Sequence, residues 1–178
     1  MITIGMLLRN EFADVTFNDE PINTDFGTQK MLIEWIKDKD RSNQKKYPLL
    51  WFVIDSYNDI NDQYEAKVKF ILFYQSKYHF KNKDRFELVY NKTLNPLYEI
   101  VKEKLISSRN INIMGLQNQV FKNIVDADNY GVNLDTLTIK RQEHDFSREA
   151  ERGKQSIAQE VLDAKIFELT IKINKKLC

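Results

Sequence analysis

Asp55, Glu65 and Lys67 are the residues whose types and spacing come nearest to a reactive centre. Two carboxylates brought together can hold Mg²⁺, and a lysine beside them can assist a water that attacks a phosphodiester. Glu65 and Lys67 stand two apart, so on a strand they share a face, and a hairpin would bring Asp55 alongside. The same residues also suit a simpler role, as polar flanks of a hairpin and the wet face of a strand continued by Lys69. Lys67, Lys69 and Lys77 could form a local basic face that meets phosphate.

Other chemistry has less to build on. His79 sits between Tyr78 and Phe80, and His144 beside Glu143 and Asp145; two isolated histidines lack the third spaced ligand of a metal site. The glycines are scattered at 5, 27, 115, 131 and 153, so no phosphate-cradling loop is expected and no cofactor is assigned. Cys178 is the sole cysteine, which rules out an intrachain disulfide or a cysteine zinc cage and suits a reducing compartment. Trp51, Phe52, Phe70, Phe73 and Phe86 fall on apolar faces and are expected to fill a core rather than stack on bases.

The elements that must position these residues can be read from periodicity. Ile4, Leu7, Leu8, Phe12 and Val15 recur at helical spacing, giving a first helix that ends near Asp14. A polar turn is expected over Asn18 to Asn23, and Thr24 or Asp25 as cap of a second helix carrying Met31, Leu32, Trp35 and Ile36. The polar run from Lys37 to Lys46 reads as a loop. Tyr47 to Ile54 is an apolar run, as in a central strand covered on both faces, bounded by polar Asp55 to Asp62. Gln63 to Ser76 is a second strand, one-sided in its first half and apolar on both sides in its second.

From Asn82 to Arg109, Phe86, Val89, Tyr90, Leu94, Leu97, Ile100, Val101 and Leu105 mark a helical stripe. Pro96 is expected to kink it or divide it into two helices. Asn110 to Val132 reads as a long excursion, Leu134 to Lys140 as a third strand, and Arg141 to Gln159 as a densely charged segment. In the last strand Phe167, Leu169, Ile171 and Ile173 alternate with Glu168, Thr170 and Lys172, so one face is buried and one is wet.

The chain has 178 residues, of which 42% are hydrophobic and 12% aromatic, enough for a substantial core and against disorder throughout. One α/β (α+β) domain over 1–178 is expected, a small, mostly antiparallel sheet packed by helices, with long extension loops as arms at about 110–133 and 141–160. With 27 Lys and Arg against 26 Asp and Glu, the formal charge is +1, so no global field favours DNA or a membrane. The apolar stretch Met1 to Leu8 is too short for a signal segment, and neither export nor membrane insertion is expected.

Four runs carry a likeness to a known family: Tyr47-Pro48-Leu49-Leu50-Trp51-Phe52-Val53-Ile54, Tyr64-Glu65-Ala66-Lys67-Val68-Lys69-Phe70-Ile71-Leu72, Leu94-Asn95-Pro96-Leu97-Tyr98-Glu99-Ile100-Val101 and Asp163-Ala164-Lys165-Ile166-Phe167-Glu168-Leu169-Thr170-Ile171. Their order, with a helix before and a distal strand between, resembles the tail-terminator family of tailed bacteriophages and related head-to-tail joining proteins. The resemblance spans about half the chain and is one of pattern. It implies a structural virion protein of the tail or neck, assembled in the host cytoplasm, that forms a homo-oligomeric ring, hexameric before dodecameric. Its partners would be other neck, portal-adaptor or tail proteins, with passive contact to DNA in the lumen and none to a membrane. Catalytic residues are not part of the family pattern. The longer excursion at Asn110 to Val132 and the charged Arg141 to Gln159 segment depart from it.

A ring subunit needs a rigid body plus extensions that grip neighbours. Loops beyond about 12 to 15 residues are uncommon unless functional or disordered, so the two long segments read as arms. In the second, Ser147 could cap a short helix placing Arg148 and Arg152 on one face, with Glu149 and Glu151 to the side. Arg141, Glu143, Asp145, Arg148, Glu149, Glu151, Arg152 and Lys154 are the expected interface residues. The alternative is enzymatic: Asp55…Glu65-Ala66-Lys67 resembles the D…ExK pattern of restriction-type, Mg²⁺-dependent nucleases.

Overall fold

The computed structural model describes residues 3–76, 80–114, 123–125, 130–133, 138–141 and 161–175. Thr3 opens helix α1 (Ile4–Glu11), its hydroxyl accepting from the Met6 amide at 3.3 Å, and the helix buries Ile4, Leu7 and Leu8. The expected polar turn is a small hairpin, β1 (Thr16–Phe17) with β2 (Glu20–Pro21), in which Asn18 and Asp19 take φ of 53° and 63°. Those left-handed angles are what a two-residue turn between antiparallel strands requires, and Asn and Asp tolerate them best after glycine.

Thr24 and Asp25 are not helix caps. They lie in strand β3 (Asn23–Phe26), and the cap is Thr28, whose hydroxyl accepts from Met31 N at 3.4 Å. Helix α2 (Gln29–Arg41) then continues through Lys37 to Arg41, which the polar composition had marked as loop. Its outer face is solvated, so charge there costs the helix nothing while Leu32 and Ile36 are buried. Gly27, at φ 143°, connects β3 to α2, a conformation open to glycine almost alone.

Strands β4 (Leu49–Ile60) and β5 (Gln63–Ser76) form a long antiparallel hairpin, and β10 (Val161–Asn174) pairs with β5 along its whole length. Polar Asp55 to Ile60, expected to bound the strand, instead prolong it. Inter-strand backbone bonds from β5 hold them there. The core of the sheet is mixed and five-stranded: β3-β4-β5-β10, with β6 (Ile111–Ile113) against the far edge of β10. Among the described strands only β3 with β4 is parallel. Short strands β7 (Asn123–Val125) and β8 (Tyr130–Asn133) lie against the same edge of β10, and β9 (Thr138–Arg141) pairs with β8. Parts of the stretch read as an excursion are therefore sheet, and the described portion of the third strand begins at Thr138.

Between β5 and β6 runs one helical length, α3 (Asn82–Arg85), a π-helical stretch (Phe86–Leu94) and α4 (Asn95–Ser107). Beside Pro96 the π-helical stretch gives way to α4, so two helical segments abut there, as expected. Pro96 sits in the first turn of α4, where a missing amide is cheap, and the preceding turns widen, the Asn95 amide donating to Tyr90 O five residues back. The wider turn advances each residue by a smaller angle. A residue three before Val89 thus leaves the apolar face, and Phe86, placed on that face by helical spacing, is 42% exposed.

The sheet has two differently covered faces. One carries Leu50, Phe52, Val68, Phe70, Leu72, Phe167, Leu169, Ile171 and Ile173 beneath α1 and the long helical run. Phe70 and Phe167 stack there at 4.9 Å and Phe52 meets Phe70 edge-on at 5.3 Å. The other carries Leu49, Trp51, Ile71, Phe73, Leu162, Ala164 and Ile166 beneath α2, with Trp51 Nε1 donating to Gly27 O at 3.1 Å. No described helix is long and apolar enough to cross a membrane.

Candidate functional site

The apolar patch under α2 ends partway along the strands, and beyond it the same face turns polar. Strand register builds rungs across β4, β5 and β10: Val53–Lys69–Glu168, Ser56–Lys67–Thr170, Asn58–Glu65–Lys172 and Ile60–Gln63–Asn174. Asp55 is the extra residue of a bulge between Ile54 and Ser56. Each member of the Asp55, Glu65, Lys67 set is drawn to an ionic neighbour: Asp55 to Lys69 at 3.9 Å, Glu65 to Lys172 at 3.7 Å, and Lys67 to Glu168 at 2.6 Å. The Glu168 carboxylate, hydrogen-bonded to the Lys67 ammonium and attracting it by charge, holds that lysine above its ordinary pKa.

Glu65 and Lys67 do share a face with Asp55 on the adjoining strand, as the spacing predicts. The Ser56–Lys67 rung, however, stands between the two carboxylates, and Lys69 and Lys172 each occupy one of them. Among the described residues no three His, Cys, Asp or Glu side chains gather as a metal would need. The exposed ladder carries Lys67, Lys69 and Lys172 against Asp55, Glu65 and Glu168, so it offers no net positive field to a nucleic acid backbone.

Past the bulge β4 leaves the core, while β5 keeps Ala66 buried and stays paired to β10 as far as Gln63. Residues Asp55 to Gln63 are all exposed, and Tyr57 and Ile60 show 60% and 44% of their surfaces. The tip is nonetheless stiff. Ile60 pairs with Gln63 across the two-residue turn Asn61–Asp62, in which Asn61 takes φ 51°. Lys175 braces it from the end of β10: its amide donates to Asp62 O at 2.9 Å, and its ammonium reaches Asp59 and Asn61 O and lies 5.0 Å over the Tyr64 ring. Tyr57 meets Tyr64 edge-on at 5.9 Å.

The β4 side of this hairpin is also an open edge. β3 pairs only with Leu49 to Phe52, leaving Val53 to Ile60 without a described strand alongside. Such a row of outward N–H and C=O groups is a template for another strand. It was missed because polar residues disguise a strand. The two-residue Asn61–Asp62 turn before the β5 alternation was the available signal.

A second polar feature is buried. Arg85, 2% exposed, meets Asp163, 0% exposed, at 3.4 Å, tying the start of the helical run to β10. Arg85 Nε makes no hydrogen bond. Burial pushes the Asp163 carboxyl above its ordinary pKa, and the Arg85 charge only partly opposes this.

Of the expected interface residues, Arg141 ends β9, whereas Glu143, Asp145, Arg148, Glu149, Glu151, Arg152 and Lys154 lie outside the described residues, as do Lys77, His79, His144 and Cys178. No family model, curated protein or solved structure matched this chain.

Proposed function

We propose that this chain is a structural component of a tailed-phage virion, a subunit of a ring at the junction of head and tail. The β4–β5 hairpin carries the reading. Its outer strand runs on past the apolar cover as a braced, solvent-exposed margin of the sheet, without a described strand alongside and with Tyr57 and Ile60 in solvent. An isolated globular protein gains little by keeping the wholly exposed Asp55 to Ile60 half of β4 in register with β5. A subunit that must reach its neighbours gains contact area. The observed order of central strand, long strand, Pro96-bearing helix and final strand supports the same family pattern, and the ionic neighbours of Asp55, Glu65 and Lys67 favour a wet sheet face over a metal centre.

Negative-stain imaging and analytical ultracentrifugation of the purified chain test the reading. Closed rings are expected, and a monomer at all concentrations counts against it. Incubating plasmid DNA with Mg²⁺ should leave it intact. Cleavage that vanishes in Glu65→Gln while folding persists would establish the nuclease instead.

A further inference from the structure

We infer that the two open edges of the sheet pair between copies, the Val53–Ile60 edge of one subunit receiving β9 of the next. The inference rests on the ring reading and names its contact. Among the described strands, the sheet ends at β9 on one side and, past Phe52, at β4 on the other. Among the described residues neither has a strand on its outer side, and outward backbone groups of this kind are best satisfied by another strand.

Charge selects between the two ways such edges can meet. Residues 53–60 include Asp55 and Asp59 and no cation, whereas β9 is Thr138-Ile139-Lys140-Arg141. Pairing β4 with β4 of a second copy would bring Asp55 and Asp59, each drawn to a lysine of its own subunit, against their own kind with no cation added, which a basic strand avoids. The bulge at Asp55 adds to that guard. Neither obstacle applies to a basic strand. The favoured contact therefore joins unlike edges, and unlike edges propagate around a ring rather than closing a two-fold dimer.

Strand direction is consistent with this. Successive antiparallel pairings give β4, β10 and β9 one direction and β5 and β8 the other. A rotation about an axis along the strands brings β9 beside the next β4 in parallel. Lys140 stands level with Asp163 through Gly131, while the open edge stands level with Glu168 to Asn174. The strands must then slant across the ring, as strands do in closed barrels.

The experiment compares the full chain with Asp55→Lys/Asp59→Lys, with Lys140→Asp/Arg141→Asp, and with all four changes together, reading oligomer mass, thermal unfolding and hydrogen exchange. Each double variant should weaken assembly by about tenfold or more while its monomer stays folded, and the quadruple variant should recover it. Loss of the internal pairs to Lys69 and Lys175 could not be rescued from β9. Amides of Val53 to Ile60 should exchange more slowly in the oligomer than in the dilute monomer. Rings that form with these amides unprotected, or double variants that assemble normally, overturn the edge pairing and leave the ring reading standing. A two-fold dimer protected at Val53 to Ile60 alone overturns the head-to-tail contact, and a chain that never associates overturns both.

Discussion

Trp51 and Phe70 are the side chains on which each face of the sheet depends. Trp51 is 1% exposed beneath α2 and meets Trp35 edge-on at 6.4 Å, and Phe70 is 0% exposed and contacts Phe12, Phe52 and Phe167. Truncating either leaves a cavity that rigid strands cannot collapse, so Trp51→Ala and Phe70→Ala should each lose about 3 to 5 kcal/mol by denaturant titration. The buried Arg85–Asp163 pair behaves differently. Arg85→Ala leaves a buried carboxylate without its cation and should cost about 3 to 5 kcal/mol, whereas Arg85→Met with Asp163→Leu should be near neutral or stabilising. Because Asp163 titrates above its unfolded value, the folded state holds its proton more tightly. Its contribution is full below the unfolded pKa and is lost as pH rises through the folded one. Denaturant titrations at descending pH should accordingly show wild type gaining on the double variant.

The hairpin and the helical run carry the element-scale consequences. Asn61 holds φ 51° in the two-residue turn on which the β4–β5 register depends. A β-branched residue pays for that region in steric strain, so Asn61→Val should cost about 1 to 2 kcal/mol, and Asn61→Gly should not. Hydrogen exchange should show the loss concentrated in residues 56 to 67. In the helical run Pro96 marks the passage from π-helical turns to α4. Its stop signal assumes α geometry, and the π-helical turns ahead of it remove the conflict while keeping Val89, Tyr90, Leu94, Leu97 and Val101 on the sheet.

At the scale of the whole molecule, assembly and stability should separate. Deleting Glu143 to Gly153 and closing the gap with a short flexible linker should leave the unfolding temperature of the subunit unchanged, since β5, β10 and both apolar clusters are untouched. On the proposed ring reading, the same deletion should impair ring formation or docking to a neighbouring neck protein. Charged contacts of that kind contribute little singly and select partners when repeated around a ring. Normal assembly of the deleted form, measured by sedimentation, would remove this segment from the interface.

The strands whose apolar residues face a core were legible in the residues themselves. Gln63 to Ser76 matches β5 at both ends, and the alternation from Phe167 to Ile173 buries the residues it names. Hydrophobic period is a local property, and burial of one face enforces it. The α1 start, the amphipathic α2 and the helical stripe after Asn82 were visible for the same reason. What only the tertiary structure decided lies where backbone hydrogen bonds, not side-chain burial, hold the chain. β3 is half-buried over its whole length and exists through parallel pairing with β4, and Asp55 to Ile60 are strand because β5 supplies their partners. Glu65 and Lys67 could be placed on one face from spacing alone. Their ionic neighbours come from β10, a hundred residues away in sequence, and only the folded register brings Glu168 and Lys172 to them. A backbone donor has no sequence signature of its partner, so the lack of a described strand on the outer side of β4 past Phe52 follows from the folded pairing alone.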